Sequence, residues 1–240
     1  MVSMKRTSGY VILALCVCLV SVVALSACGS GSYAVITCVD STESTKDVRS
    51  EYVQDLETSA WDAADHYAPM YGATCGDHPG DSAKWAVELR FKDKGYDGEL
   101  KESYLERLVG EDRPKLIGLT ETGSSRGTPL GEILAVEAAQ CENVGGHCSI
   151  YLLTDGEWAD GALIAKGGIT DDEQRRFVEK YSSQVEGLSE SKVYFGGVGL
   201  GTEMTTDEIA EAGEAAEALV VAGGGEVAAW GSSLSRDAVD

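Results

Sequence analysis

The stretch that decides the fold is Ala34-Val35-Ile36-Thr37-Cys38-Val39-Asp40-Ser41-Thr42-Glu43-Ser44-Thr45. It opens as an apolar run rich in β-branched residues, which is typical of a strand buried on both faces of a parallel sheet. The run stops at an aspartate, and hydroxyl side chains follow at alternate positions in Asp40-x-Thr42-x-Ser44. We therefore predict a buried strand over residues 34–39, with polar side chains directly after its carboxyl end.

Two interpretations of these side-chain oxygens are open. Ligands of open α/β sheets bind just outside the carboxyl ends of the strands, and one carboxylate with two hydroxyls suits a small divalent cation. Serine, threonine and aspartate are also the residues that cap the N-terminus of a following helix. This stretch alone therefore predicts either a cation site or a helix cap.

The rest of the chain alternates between strand and helix patterns. Strands are predicted at 85–91, 149–154, 192–198 and 226–230, with a possible short strand at 115–120. Helices are predicted at about 47–67, 99–109, 128–139, from 170 onward, and at 205–222, and 72–81 is predicted as a loop. Such alternation predicts an α/β fold: a doubly wound, mostly parallel sheet with helices on both faces.

Composition limits the classes of function. The 240 residues include 40 acidic and 19 basic side chains, which gives a formal net charge of −21. A nucleic-acid partner needs a basic face, so we expect none. With 43% hydrophobic residues the chain can form a core, and its length suits one domain after removal of a leader.

The first 27 residues have the pattern of a secretion signal. Lys5 and Arg6 precede a largely apolar stretch that ends in Leu25-Ser26-Ala27-Cys28, which resembles a bacterial lipobox. This predicts a lipoprotein signal peptide over 1–27, a lipidated Cys28, a tether over 28–32 and a domain over 33–240. The domain would lie at the extracytoplasmic face of the cell membrane and contact it through the lipid anchor only.

The alternative for the leader is an uncleaved membrane helix, since about 18 apolar residues could just span a bilayer. Small residues before Cys28 and Gly-Ser-Gly-Ser after it favour cleavage.

The cysteines fit an oxidising compartment. Four of the seven lie beyond the leader and its lipid site, namely Cys38, Cys75, Cys141 and Cys148, and pairing is the default there. Cys141 and Cys148 could close a local bridge, which leaves Cys38 with Cys75. Cys38 could instead be a free residue of a buried strand.

Three separated segments together resemble the von Willebrand factor A domain and its metal-ion-dependent adhesion site. Asp40-x-Thr42-x-Ser44 matches the family's Asp-x-Ser-x-Ser motif, with threonine in place of the first serine. Thr128, in a Gly-Thr-Pro-Leu helix start, is similar to the family's isolated threonine, and Asp155 to its second aspartate. The resemblance implies a Mg²⁺ (or Mn²⁺) site at these five residues.

The resemblance also implies the kind of partner. Mg²⁺ requires near-octahedral oxygen coordination, and neutral hydroxyls leave it able to accept one more anionic oxygen. An acidic side chain of a protein ligand can supply that oxygen.

Some features depart from the family pattern. The chain between 85 and 128 lacks the short antiparallel hairpin expected after the second strand, and 232–240 is too short and polar for the final helix of integrin-type members. If 115–120 were a central strand, Glu121 could join the site and Thr128 could miss it.

Enzymatic function is not expected. A hydrolase needs a nucleophile with a positioned base, and His66, His78 and His147 lie in no recognisable catalytic motif. The glycine-rich segment 197–201 lacks a complete phosphate-binding motif and is predicted as a turn. Trp158 is predicted to border the ligand face. The alternative to a metal-dependent binding module is an envelope-complex scaffold or assembly protein with a non-functional metal site.

Overall fold

The computed structural model of the protein describes residues 33–75, 87–90, 98–121, 127–161 and 163–236. The proposed signal peptide, Cys28 and the tether lie outside these ranges, as do residues 92–97 and 237–240. Among the residues described, no helix is both long enough and apolar enough to cross a bilayer.

Six strands form the main sheet, in the spatial order β3-β2-β1-β4-β7-β8. Their bounds are β1 Tyr33–Asp40, β2 Pro69–Cys75, β3 Val87–Arg90, β4 His147–Leu153, β7 Lys192–Gly196 and β8 Glu226–Trp230. β3 pairs antiparallel with β2 at one edge, and the other neighbours pair in parallel. The predicted doubly wound, mostly parallel α/β sheet is therefore confirmed. A separate hairpin joins β5 (Ala159–Asp160) and β6 (Leu163–Ile164).

Helices cover both faces of the sheet. The α-helices described are α1 Val53–Asp65, α2 Gly98–Glu121, α3 Leu130–Val144, α4 Asp171–Tyr181 and α5 Thr206–Ala222; short 3₁₀ helices lie at Arg49–Tyr52, Ser182–Gln184 and Glu186–Leu188. Side chains of β1 alternate between two cores: Ile36 packs in the cluster that contains residues of α3, α4 and α5, and Val35 in the one that contains residues of α1 and α2.

β1 is central because both of its faces and both of its edges are covered. Seven of its eight residues are buried, as expected for its apolar, β-branched sequence. Its register sets Val39 opposite Leu153 of β4, and Asp40 opposite Cys75 of β2. Because these strands run in parallel, the residues that follow β1 and β4 meet at the same edge of the sheet.

One strand was not predicted. Residues 72–81 were expected to be a loop, whereas Pro69–Cys75 forms β2, which pairs with both β1 and β3. Pro69 and Gly72 are residues that normally interrupt strands, and Pro69 is tolerated as the first residue of the strand. The antiparallel pair of this region is therefore β2 with β3, and its first strand lies before residues 85–128, where no hairpin was expected.

The possible strand at 115–120 is also wrong, because these residues belong to α2. Leu116 and Leu119 are both buried and lie three positions apart, which puts them on one face of a helix. Pro114 lies inside this helix, where a proline is normally unfavourable.

Both disulfide pairs expected from the cysteine pattern are present. Cys141 and Cys148 link α3 to β4, with their Cα atoms 5.9 Å apart, and Cys38 and Cys75 link β1 to β2 at 5.8 Å. The alternative of a free Cys38 is therefore wrong.

Candidate metal centre

Asp40, the last residue of β1, is fully buried and accepts three hydrogen bonds. The backbone N–H of Thr42 donates to Asp40 Oδ1 at 2.8 Å. The hydroxyls of Thr128 and Thr154 donate to Oδ2 at 2.8 and 2.9 Å. These donors come from three separate segments, so the carboxylate joins the loop after β1, the start of α3 and the end of β4.

The hydroxyls of the Asp40-x-Thr42-x-Ser44 motif lie together beside this carboxylate. Thr42 Oγ1 and Ser44 Oγ are 3.0 Å apart, and Thr42 is buried whereas Ser44 is exposed. The helix-cap interpretation is wrong, because no side chain caps the 3₁₀ helix Arg49–Tyr52 or helix α1 that follows it.

Arg49 stabilises the loop that carries the Asp40-x-Thr42-x-Ser44 motif through hydrogen bonds. Its guanidinium donates to the carbonyl oxygens of Ser41 and Thr42, at 3.0 and 2.6 Å, and its Nε donates to the Thr45 hydroxyl at 3.1 Å. These three contacts fix the backbone that carries the Thr42 and Ser44 hydroxyls.

Asp155 is the second buried carboxyl group at this edge. Its Oδ1 accepts the backbone N–H of Glu157 at 2.9 Å, whereas its buried Oδ2 has no hydrogen-bond partner among the residues that the structure describes. Burial, and then the negative charge of Asp40, raise the pKa of Asp155 to about 6. The Ser44 hydroxyl lies close enough to oppose that rise without forming a hydrogen bond of normal geometry to Oδ2.

The surroundings of the two carboxyl groups fit a bound cation. Burial also raises the pKa of Asp40, and the backbone N–H of Thr42 and the hydroxyls of Thr42, Thr128 and Thr154 oppose that rise. The hydroxyl of Tyr52 is buried beneath the site and, within the described chain, lacks a partner; burial and the charges of Asp40 and Asp155 raise its pKa. Two destabilised carboxylates with an unsatisfied oxygen are what a divalent cation would stabilise.

All five residues predicted for the site are thus found at one edge of the sheet. Hydrogen bonds connect Thr128 to Asp40, Asp40 to Thr42 and Thr42 to Ser44. The Ser44 hydroxyl lowers the pKa of Asp155. That they bind a metal stays a prediction.

One alternative left open for this edge, and one expectation about it, are wrong. Glu121 is the exposed last residue of α2, so it does not take the place of Thr128 beside Asp40. Trp158 is only 1% exposed, and its indole N–H donates to the carbonyl of Ala212. Trp158 therefore belongs to the core and does not border a ligand face.

Some residues of the site were not predicted. Thr154 lies at the end of β4 and shares Asp40 Oδ2 with Thr128, but a threonine ending a strand carries no distinctive signal. Arg49 and Tyr52 lie on the short 3₁₀ helix after the motif; apolar spacing puts Tyr52 on the buried helix face, but it does not show that either side chain lies at the site. The position of Thr128 also depends on a backbone bond from Ala159 N–H to its carbonyl, at 3.1 Å.

The rim of the site comes from the loops after β4 and β7. Gly199 N–H donates to the carbonyl of Asp155 at 2.9 Å. The side chain of Glu157 accepts the Thr202 hydroxyl at 3.2 Å, and Lys166 Nζ lies 3.9 Å from Glu157 and 3.0 Å from Glu203. Charged side chains of both signs therefore lie next to the residues that follow Asp155.

No protein-family model matches the sequence, and no curated protein is similar to it. Among solved structures, a mutant of the PilB minor pilin from Streptococcus sanguinis is 11% identical, with 88% of this chain and 59% of that one covered, at a TM-score of 0.45. The pilus adhesin SpaC from Lactobacillus rhamnosus GG is 12% identical, with 88% and 29% covered, at 0.45. The human COPII-coat protein Sec24c is 10% identical, with 84% and 30% covered, at 0.42. These scores are too low to support an inference about function.

Proposed function

We propose that the protein is a binding module that depends on a divalent cation. Asp40, Thr42, Ser44, Thr128 and Asp155 would hold Mg²⁺ (or Mn²⁺), as in a von Willebrand factor A domain, and a protein partner would bind through an acidic side chain. The observation that carries the proposal is the meeting of two buried aspartates at the carboxyl edge of the sheet, with Asp155 Oδ2 unsatisfied among the described residues.

Each residue would have a distinct part in binding. The Thr42, Ser44 and Thr128 hydroxyls offer neutral oxygens, and the two aspartates supply the negative charge that balances the cation. When bound, the cation would supply a positive centre able to accept a carboxylate oxygen from outside. Ser44, the exposed member of the set, marks the side from which a partner can approach.

We further propose that the module is held at the extracytoplasmic face of the cell membrane through a lipidated Cys28. This part of the proposal rests on the leader sequence, and the two disulfides of the domain are consistent with an oxidising compartment. Mass spectrometry of the detergent-extracted protein tests it. We expect a diacylglyceryl-modified Cys28 at the mature N-terminus, and an intact leader would contradict it.

Substitution of Asp155 by Asn tests the metal site. Without metal, Asp155→Asn should unfold at the same temperature as the wild type or higher, because it removes a buried charge beside Asp40 and keeps the acceptor for Glu157 N–H. Mg²⁺ should stabilise the wild-type protein by about 2.7 kcal/mol when its free concentration is a hundred times the dissociation constant. The unfolding temperature of Asp155→Asn should not change with Mg²⁺. Thermal unfolding in Mg²⁺ and in chelator, at equal ionic strength, measures both effects.

Asp62→Asn is the matched control. Asp62 is also a buried aspartate, but it lies near the far end of α1, where it accepts the hydroxyls of Tyr33 and Tyr151 at 2.7 and 2.8 Å. This variant should lose stability and keep its Mg²⁺ response. A wild-type protein whose unfolding temperature is the same in Mg²⁺ and in chelator would overturn the metal-dependent proposal.

The second candidate function is a scaffold or assembly protein whose metal site does not work. The excess of acidic residues, 40 against 19 basic ones, favours it, because that charge could itself bind a basic partner. Crosslinking at the cell surface separates the two: capture of the same partner with and without chelator supports the scaffold, and capture that requires Mg²⁺ supports the binding module.

A further inference from the structure

Glu137 is a buried carboxyl group that the proposed Mg²⁺ site does not use. It lies on the core face of α3, among the apolar residues Leu130, Ile133, Leu134 and Ala138, and is 1% exposed. Neither of its carboxyl oxygens has a hydrogen-bond partner within the described chain. A buried polar group without a hydrogen-bond partner is destabilising, so an apolar residue would stabilise the core better at this position.

The groups that face Glu137 are two sulfur atoms. Cys38 Sγ, Cys75 Sγ and a carboxylate oxygen of Glu137 all lie within 4.8 Å of one another, and all three residues are buried. Cys38 comes from β1, Cys75 from the end of β2 and Glu137 from α3, so three elements converge on one point. A disulfide offers a carboxyl group no good hydrogen-bond donor, and the disulfide alone therefore does not account for a glutamate here.

We propose that Cys38, Cys75 and Glu137 form a second metal site, which binds a thiophilic cation such as Zn²⁺ when the Cys38–Cys75 disulfide is open. Zinc sites in proteins combine cysteine sulfur with carboxylate oxygen at tetrahedral positions, and the fourth position here would go to water. This site is separate from the oxygen-only site at Asp40 and does not depend on the function proposed for it.

The conversion of the Cys38–Cys75 disulfide into the metal-bound form is balanced in electrons and protons. A dithiol reductant supplies two electrons and two protons, the S–S bond breaks, and the reductant becomes a cyclic disulfide. The cation then displaces the two thiol protons, and a neutral Glu137 loses its proton on binding too. Thiolate is the form that binds metal. Disulfide formation and metal binding at these cysteines therefore exclude each other.

Cobalt(II) is the probe for the test, because thiolate ligands give it a charge-transfer band that oxygen ligands do not. The test protein has its five other cysteines replaced by serine, so that only Cys38 and Cys75 of the seven remain. It is reduced with a dithiol, freed of reductant under anaerobic conditions, and titrated with Co²⁺ in excess Mg²⁺. We expect the band in the reduced protein, its absence after oxidation, and its loss when Zn²⁺ is added.

Two variants at one position separate ligation from packing. Glu137→Gln should weaken Co²⁺ binding by about tenfold or more, since removing even a supporting group of a metal site costs about 10–100-fold in affinity. Glu137→Leu should weaken it as well, and should raise the unfolding temperature of the oxidised protein. A merely structural Glu137 would change stability in these variants and leave Co²⁺ affinity unaltered.

Three results would overturn the proposal. One is a folded, reduced protein with no charge-transfer band. Another is a band of equal affinity in the wild type, Glu137→Gln and Glu137→Leu. The third is a reduced protein that loses its far-UV circular dichroism and does not recover it with Zn²⁺. If the five-serine protein does not fold when oxidised, the comparison of Glu137→Gln with the natural cysteines in place decides the outcome in the same way.

Discussion

At the scale of the residue, the site is built from groups that are costly to bury. Asp40 is compensated by three hydrogen bonds, whereas Asp155 has an unsatisfied oxygen among the described residues. Asp40, Thr42 and Ser44 could be predicted because their spacing is unusual and follows a recognisable strand. Thr154 and Arg49 could not, because their roles depend on segments brought together only by the fold.

Asp55 should make the stability of the metal-free protein depend on pH. Burial raises its pKa from 3.8 to about 6, against a hydrogen bond from Leu234 N–H. The folded protein therefore binds this proton more tightly than the unfolded chain, and stability falls as the pH rises from 3.8 to about 6. Asp55→Asn should reduce this fall by roughly 1–3 kcal/mol, since one pKa unit corresponds to about 1.4 kcal/mol.

Urea unfolding in chelator, at several pH values across that window, measures the effect. Asp155 titrates in the same range, so the slope should become smaller in Asp55→Asn without vanishing. An unchanged slope would mean that Asp55 is not responsible.

Gly197 follows β7 in a conformation that other residues rarely adopt, with φ of 79°. A Cβ atom at this position would overlap with the ring of Tyr52 beneath the site. Gly197→Ala should therefore destabilise the protein by roughly 2 kcal/mol or more, as measured by urea unfolding. Gly118→Ala is the control, because a Cβ on Gly118 of α2 would meet nothing within 4 Å, and alanine favours a helix by about 0.5–1 kcal/mol.

At the scale of the element, the starts of two helices could be predicted from local sequence, whereas one strand could not. Thr170-x-x-Glu173 and Thr205-x-x-Glu208 are capping-box sequences. Both boxes are present with their reciprocal hydrogen bonds, because a cap depends on residues only three positions apart. β2 was missed because its strand character depends on neighbours, β1 and β3, that lie elsewhere in the sequence.

The cap of α5 also supports the loop before α4. Glu208, which accepts the Thr205 N–H, accepts the backbone N–H of Gly167 as well, each at 2.6 Å. Thr205→Ala should cost about 1 kcal/mol in the free energy of unfolding, and Thr205→Ser should restore most of it. Thr206→Ala, one position inside the helix, is the control, and an equal loss there would argue against a capping effect.

At the scale of the whole molecule, the negative net charge should lower the stability of the folded protein. A formal net charge of −21 causes self-repulsion in the compact state, and salt screens it. Raising NaCl to physiological ionic strength should therefore raise the unfolding temperature of wild-type protein and Asp155→Asn alike, by about 2–4 °C for each 1 kcal/mol gained. A salt effect confined to the wild type would indicate ion binding at the site.

The topology of the sheet also decides what must pair before these residues can meet. Thr154 and Asp40, which bond to each other, are 114 residues apart, so their contact closes a long loop and carries the entropic cost of that closure. Until β4 pairs with β1, β1 has an open edge on that side, and an unpaired strand edge is prone to aggregation. The two aspartates can therefore come together only in a chain whose β1 and β4 have already paired.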